Sequence, residues 1–145
     1  MKKCSEVMTK SPVCCLPDDS VVKAAELMAS ENIGSIPVIE NRQSQRLVGI
    51  VTDRDLALKI VAKGLDAKTT NVEVVMTHKV VTCLAADDLQ KALDAMARHQ
   101  LRRIPVVDND HKIVGIIAQA DVATRVDQPE KTAEMVKEIS QTNGK

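Results

Sequence analysis

The chain is written twice, and this constrains its fold more than any other feature. Val7-Met8-Thr9 recurs as Val75-Met76-Thr77, Cys15-Leu16 as Cys83-Leu84, and Met28 as Met96. Ile36-Pro37-Val38-Ile39 returns as Ile104-Pro105-Val106-Val107, at the same offset of 68 residues. The offset falls to 66 where Leu47-Val48-Gly49-Ile50 matches Ile113-Val114-Gly115-Ile116, so one loop is two residues shorter in the second copy. Two copies in 145 residues are too few for a solenoid. They predict a pseudo-symmetric pair, each unit covering the apolar face that the other leaves open.

Within each copy the pattern reads strand, helix, strand, strand, helix. Residues 12–15 begin with a short extended run. Asp18-Asp19-Ser20 then supplies N-cap chemistry ahead of Val21, Ala24, Ala25, Leu27 and Met28, an apolar stripe at helical spacing. The matching helix follows Asp87-Asp88, with Leu89, Ala92, Leu93 and Met96 on its buried face. Residues 41–45 and 108–112 are polar hairpin connections from the Ile-Pro-Val strand to the Val-Gly-Ile strand. A parallel crossover joined to an antiparallel hairpin gives a small mixed sheet with flanking helices, an α/β fold. Leu56, Leu58, Ile60 and Val61 suit a helix stopped by Gly64, and Asn71 caps a short turn into the second copy. The boundaries are 1–70 for the first copy with its linker, 71–127 for the second, and 128–145 for a tail. In the tail, Pro129 and Glu130 start a helix with a narrow stripe of Ala133, Val136 and Ile139.

Composition narrows the partners. There is no Phe, Tyr or Trp, so the core is aliphatic and the base-stacking platform of single-strand nucleic-acid binders is missing. With 20 acidic and 20 basic residues the formal net charge is zero, which argues against duplex DNA or an anionic membrane as partner. No signal-like apolar run follows Met1-Lys2-Lys3, and no stretch approaches the ~20 apolar residues of a membrane span, so a cytoplasmic location is expected. Cys4, Cys14, Cys15 and Cys83 form no CxxC and no zinc-like Cys/His spacing, and read as buried reduced thiols. Cys14 and Cys15 are adjacent and cannot bridge each other without strain. Cys15 and Cys83 hold equivalent repeat positions and could approach each other across the pseudo-twofold. His78, His99 and His111 are isolated and read as surface histidines.

The chemistry concentrates in Gly49-Ile50-Val51-Thr52-Asp53-Arg54-Asp55, a buried strand running into the first turn of a helix. Alone, Thr52 and Asp55 read first as a capping box, with the carboxylate also favoured by the helix dipole. A ligand role uses the same atoms. Free N–H groups at a helix start suit phosphate, the Thr hydroxyl can join them, and a carboxylate one turn in can accept both hydroxyls of a ribose. The second copy, Gly115-Ile116-Ile117-Ala118-Gln119-Ala120-Asp121, keeps the carboxylate and lacks the hydroxyl. Arg102 and Arg103, taken alone, are a solvated helix end with His99.

The ordered repeat Gly34-x-Ile36-Pro37-Val38, polar hairpin, Val48-Gly49-Ile50-Val51-Thr52-x-x-Asp55 resembles the CBS domain family over residues 5–126. Two such motifs in tandem resemble a Bateman module of the stand-alone bacterial or archaeal type. The resemblance implies two βαββα units and two clefts for adenosine-containing ligands: AMP, ADP, ATP, and in some members NAD or S-adenosylmethionine. Carried over residue by residue, Asp55 would hold the ribose and Thr52 the phosphate. The adenine would lie among Val13, Cys14, Ile36 and Pro37. Arg102 and Arg103 would reach the phosphates in the Thr52–Asp55 cleft. Asp121 could hold a ribose in the weaker second cleft, where Ala118 replaces the threonine.

Three classes of function follow. The first is a non-catalytic adenine-nucleotide sensor acting on a separate protein. The second is a ligand-free dimerisation module, since the resemblance also implies flat homodimers. The third, a cysteine-based redox protein, is the weakest. No nucleophile–base pair, metal cluster, G-x-G-x-x-G or Walker loop supports an enzyme, and neither a required cofactor nor a metal is expected.

Overall fold

The computed structural model describes residues 2–125. The tail helix expected over 128–145 lies outside the described residues. The chain divides into two compact units, one of residues 13–80 and the other of residues 1–12 with 81–145. These units are offset from the sequence repeats: the leading Val-Met-Thr segment of each copy belongs to the unit built on the other copy's hairpin.

The 13–80 unit begins with an extended segment whose Cys15 bridges Val38 in parallel. Helix α2 (Val21–Glu31) starts at Ser20, whose side chain accepts from the Lys23 N–H at 3.2 Å. It ends at Asn32 in the left-handed region, φ 54°. Strands β2 (Ser35–Ile39) and β3 (Leu47–Thr52) form the expected antiparallel hairpin, with Ser35 opposite Thr52 and Ile36 opposite Val51. A bulge between Val38 and Ile39 absorbs the register shift. Strand β3 runs directly into α3 (Asp53–Leu56), continued by a π-helical turn over Ala57–Val61. Helix α4 (Val72–Val75) then leads to Thr77, which bridges Ile50 on the free edge of β3.

The other unit repeats this plan. Helix α1 (Cys4–Val7) leads to β1 (Thr9–Lys10), which pairs antiparallel with β6 (Ile113–Ala118). Strand β4 (Cys83–Leu84) lies parallel to β5 (Arg103–Val107), and β5 pairs antiparallel with β6, in the order β1-β6-β5-β4. Helix α5 (Leu89–His99) makes the crossover and ends at Gln100, also left-handed at φ 56°. Helix α6 (Gln119–Arg125) follows β6 without a loop.

Each unit has its own aliphatic core. In the 13–80 unit Val21, Ala24 and Met28 of α2 pack on Ile36, Val38 and Val51, with Val72 and Val75 of α4 closing the edge. In the other, Leu89, Ala92, Leu93 and Met96 of α5 pack on Ile104, Val106 and Ile117, and Cys4 and Val7 of α1 close the equivalent edge. The borrowed Val-Met-Thr segments fit closely because the facing strand carries glycine. A Cβ at Gly49 would lie 2.8 Å from Met76 Sδ and 3.0 Å from the Thr77 carbonyl oxygen, and one at Gly115 would lie 2.9 Å from that of Thr9. Among the described residues no helix is long and apolar enough to cross a membrane.

Candidate functional site

The hairpin in each unit ends in a strand-to-helix junction, and both junctions carry an anchored aspartate. In the 13–80 unit Thr52 is extended, φ −118°, and caps α3: its Oγ1 accepts from the Asp55 N–H at 3.0 Å. Asp55 Oδ2 accepts in return from the Thr52 N–H at 3.0 Å, which completes the capping box. The other oxygen, Oδ1, faces Lys59 Nζ at 3.0 Å and the Thr77 hydroxyl at 3.5 Å. Asp55 is 9% exposed, the one buried charged residue of the described chain. Its partners explain how a charge is tolerated there.

The structure corrects one expectation. The first-turn N–H groups of α3 are already engaged: Asp53 N donates to the Gly34 carbonyl at 2.9 Å and Arg54 N to Asp53 Oδ1 at 2.8 Å, while Asp55 N is held by Thr52. Asp53, which the sequence reading passed over, is the physical reason. Its short side chain folds back on the next N–H, as aspartate does at turns and helix starts. A phosphate at this junction would have to displace a carboxylate.

In the other unit Asp121 Oδ2 accepts from the Ala118 N–H at 3.1 Å, and the Thr9 hydroxyl lies 3.3 Å from both carboxylate oxygens. Thr9 thus stands to Asp121 as Thr77 stands to Asp55. The recurring Val-Met-Thr was the available signal for both threonines, but the aspartate each one faces is distant in sequence. Gln119, at the place of Asp53, donates its N–H to the Arg102 carbonyl at 3.1 Å, and its buried Nε2 has no partner among the described residues. Arg103 sits directly opposite Ala118 in the β5–β6 ladder. Among the described residues neither Arg102 nor Arg103 forms an ion pair.

The residues expected around an adenine are grouped beside β2. Cys15 N donates to the Pro37 carbonyl at 3.0 Å, which lays residues 13–15 along that strand. Cys14 and Pro37 are buried and Val13 is half-buried. Ile36 is committed to the core, so it has only main chain to offer a ligand. Burial pushes the Cys14 thiol up to about 11, against the Arg42 guanidinium that pulls it down, and burial raises Cys15 likewise to about 11. Cys83 and Cys4 share the core cluster of the other unit, where Cys83 Sγ points at the Pro105 carbonyl at 3.9 Å and Cys4 Sγ at that of Asp88 at 3.8 Å. Among the described residues no three His, Cys, Asp or Glu side chains gather to hold a metal ion.

A pair of α/β units, each with a helix crossover, an antiparallel hairpin and an aspartate anchored where the hairpin enters a helix, defines a tandem-motif class of protein. The chain belongs to the CBS domain family, whose profile matches residues 4–62 and 72–127. It is 36% identical over 143 residues to the CBS domain-containing protein YhcV of Bacillus subtilis, covering 99% of each chain. The crystal structure of Hypoxic Response Protein I with two coordinated zinc ions superposes with a TM-score of 0.77 at 30% identity, covering 86% of this chain and 99% of that one. The CBS domain pair of protein MJ0100, in complex with 5-methylthioadenosine and S-adenosyl-L-methionine, gives 0.71 at 25% identity, covering 86% and 94%.

Proposed function

We propose that this chain is a non-catalytic regulatory module that binds an adenosyl ligand and acts on a separate protein in the cytoplasm. The observation that carries this reading is the doubled junction. In each unit one aspartate oxygen is fixed on the last strand N–H. In the 13–80 unit the other oxygen is held by Lys59, whose side chain is 43% exposed and can swing into water at little cost. Asp55 then accepts the ribose hydroxyls, Thr52 contacts phosphate, and Val13, Cys14 and Pro37 flank the base. Arg102 and Arg103, which form no ion pair among the described residues, serve as the cations for AMP, ADP or ATP. The relative solved with 5-methylthioadenosine and S-adenosyl-L-methionine supports the adenosyl part of this reading. NAD is a further candidate.

A second reading, a ligand-free homodimerisation module, has an observation of its own. A groove of about 360 Å³ between α2 and the α3 helix is lined almost wholly by apolar groups, including Val21, Val22, Ala25, Leu56 and Ile60. Val61 on its rim is 77% exposed. Such a patch suits a second copy of the chain.

Thermal shift and calorimetry with AMP, ADP, ATP, NAD and S-adenosylmethionine separate the two. A ligand at 100 times its Kd stabilises the native state by about 2.7 kcal/mol, a rise of several degrees. Asp55→Ala is expected to abolish that rise and Asp121→Ala to reduce it less. Equal losses from both would sink the ranking of the junctions, and no shift with any ligand would leave the dimerisation module.

A further inference from the structure

Lys59 makes two contacts, and they lie on different elements of the 13–80 unit. Its Nζ faces Asp55 Oδ1 at 3.0 Å, one helical turn back, and donates to the Val75 carbonyl at 2.9 Å. Val75 closes the four-residue helix α4. The last carbonyls of a helix have no donor within it, and a cation suits their negative end. A π-helical turn over Ala57–Val61 carries Lys59 to this place, an irregularity frequent at functional sites.

Asp55 Oδ1 has a second neighbour on the same segment, the Thr77 hydroxyl at 3.5 Å. Thr77 follows α4 and exchanges both main-chain bonds with Ile50 of β3, at 2.8 and 2.9 Å. One carboxylate oxygen therefore reaches residues 75–77 by two routes. The N-terminal end of α4 is held separately, by the bonds Val72 N to Asp19 O and Glu73 N to Pro17 O and by the burial of Val72. The C-terminal end is the part tied to Asp55.

The geometry points to Lys59 as a positioning residue that relays occupancy of Asp55 to the C-terminal end of α4. A ligand that takes Asp55 Oδ1 releases the ammonium from the carboxylate and with it the hold on the Val75 carbonyl. This rests on the reading of Asp55 as the ribose acceptor. Between a carboxylate and a carbonyl dipole the ammonium is fixed. Without the carboxylate, one neutral acceptor must hold a long side chain that is 43% exposed, against its rotamer freedom and its hydration. Lys59 then leaves the carbonyl as well. Linkage makes the coupling reciprocal, so removing the Lys59 ammonium from Asp55 favours the ligand.

The test uses the full chain and two variants. Lys59→Met keeps the apolar stem and removes the charge, and Asp55→Asn keeps the shape of the carboxylate and removes its charge. Without ligand, each variant should exchange amide hydrogens several-fold faster at Met76 and Thr77, and the double variant no faster than the quicker single one, since both break one path. Unchanged exchange there in either variant, additive effects, or faster exchange confined to residues 52–56 overturns the relay. Calorimetry then uses 5-methylthioadenosine, which has the ribose and no phosphate. Lys59→Met should bind it about fivefold more tightly than the wild type, and saturating the wild type should speed exchange at Met76 and Thr77. Equal or weaker binding by Lys59→Met overturns the relay, since loss of a merely structural lysine would not raise affinity. No binding by the wild type overturns the ribose reading of Asp55 and the ligand half of the relay with it, while exchange in Asp55→Asn still decides the link from Asp55 to α4.

Discussion

Asp53 sets the charge of the first junction. Its carboxylate sits on the Arg54 N–H, where the helix dipole favours an anion, so an incoming phosphate meets a negative charge already in place. Asp53→Asn is therefore expected to strengthen ATP binding about two- to fivefold and to leave S-adenosylmethionine, which carries no phosphate, unimproved or weakened. Paired calorimetric titrations of the wild type and the variant check this. Gly49 is the other residue with a sharp consequence. Alanine there would press on Met76, which can yield, and on the Thr77 carbonyl at 3.0 Å, which is main chain and cannot. Gly49→Ala should cost about 1–3 kcal/mol in urea denaturation, the range for overpacking. A neutral result would show that Thr77 does not hold the edge of β3.

At the level of elements, hairpins and crossover helices were legible from period and turn chemistry. The α2 stripe, the Ser20 cap and both polar hairpin tips lie where the sequence places them. The capping box was legible because it is local: both its bonds span three residues. Lys59 on Asp55 was available at helical spacing i,i+4 and was missed, since a π-helical turn follows rather than a regular helix. Thr77 and Thr9 could not be assigned to the aspartates they face, because those contacts span 22 and 112 residues. Cys83 was referred to Cys15 on repeat equivalence, but Cys83 shares its core cluster with Cys4, while Cys15 belongs to the core of the 13–80 unit. Thr52→Ala removes only the local part of this arrangement. It should lower stability by about 1 kcal/mol even without ligand, measured by chemical denaturation.

For the whole molecule, the two units should respond differently to change. Residues 1–12 complete the core of the unit that they form with 81–145 through Cys4 and Val7, both fully buried, and none of them belongs to the buried cluster of 13–80. Deleting them should speed hydrogen exchange through α5, β5 and β6 while leaving α2, β2 and β3 protected, and uniform loss across both would refute this division. The 13–80 unit has its own liability in alkali. Cys14 and Cys15 are raised from about 9.0 to about 11, so the folded chain keeps their protons where the unfolded chain releases them. Their contribution is full below pH 9 and is lost as pH rises towards 11. Denaturation midpoints at pH 8.5 and pH 10.5 should show the fall.

The exchange of leading segments also sets a timetable for synthesis. Residues 13–80 have every core partner once Val80 has left the ribosome, although they are not the first residues made. The opening dozen must wait, with Val7 and Met8 exposed, until β6 has emerged some forty residues later. At about 5–20 residues per second that is a delay of roughly 2–8 seconds before residues 1–12 can take their place in the sheet.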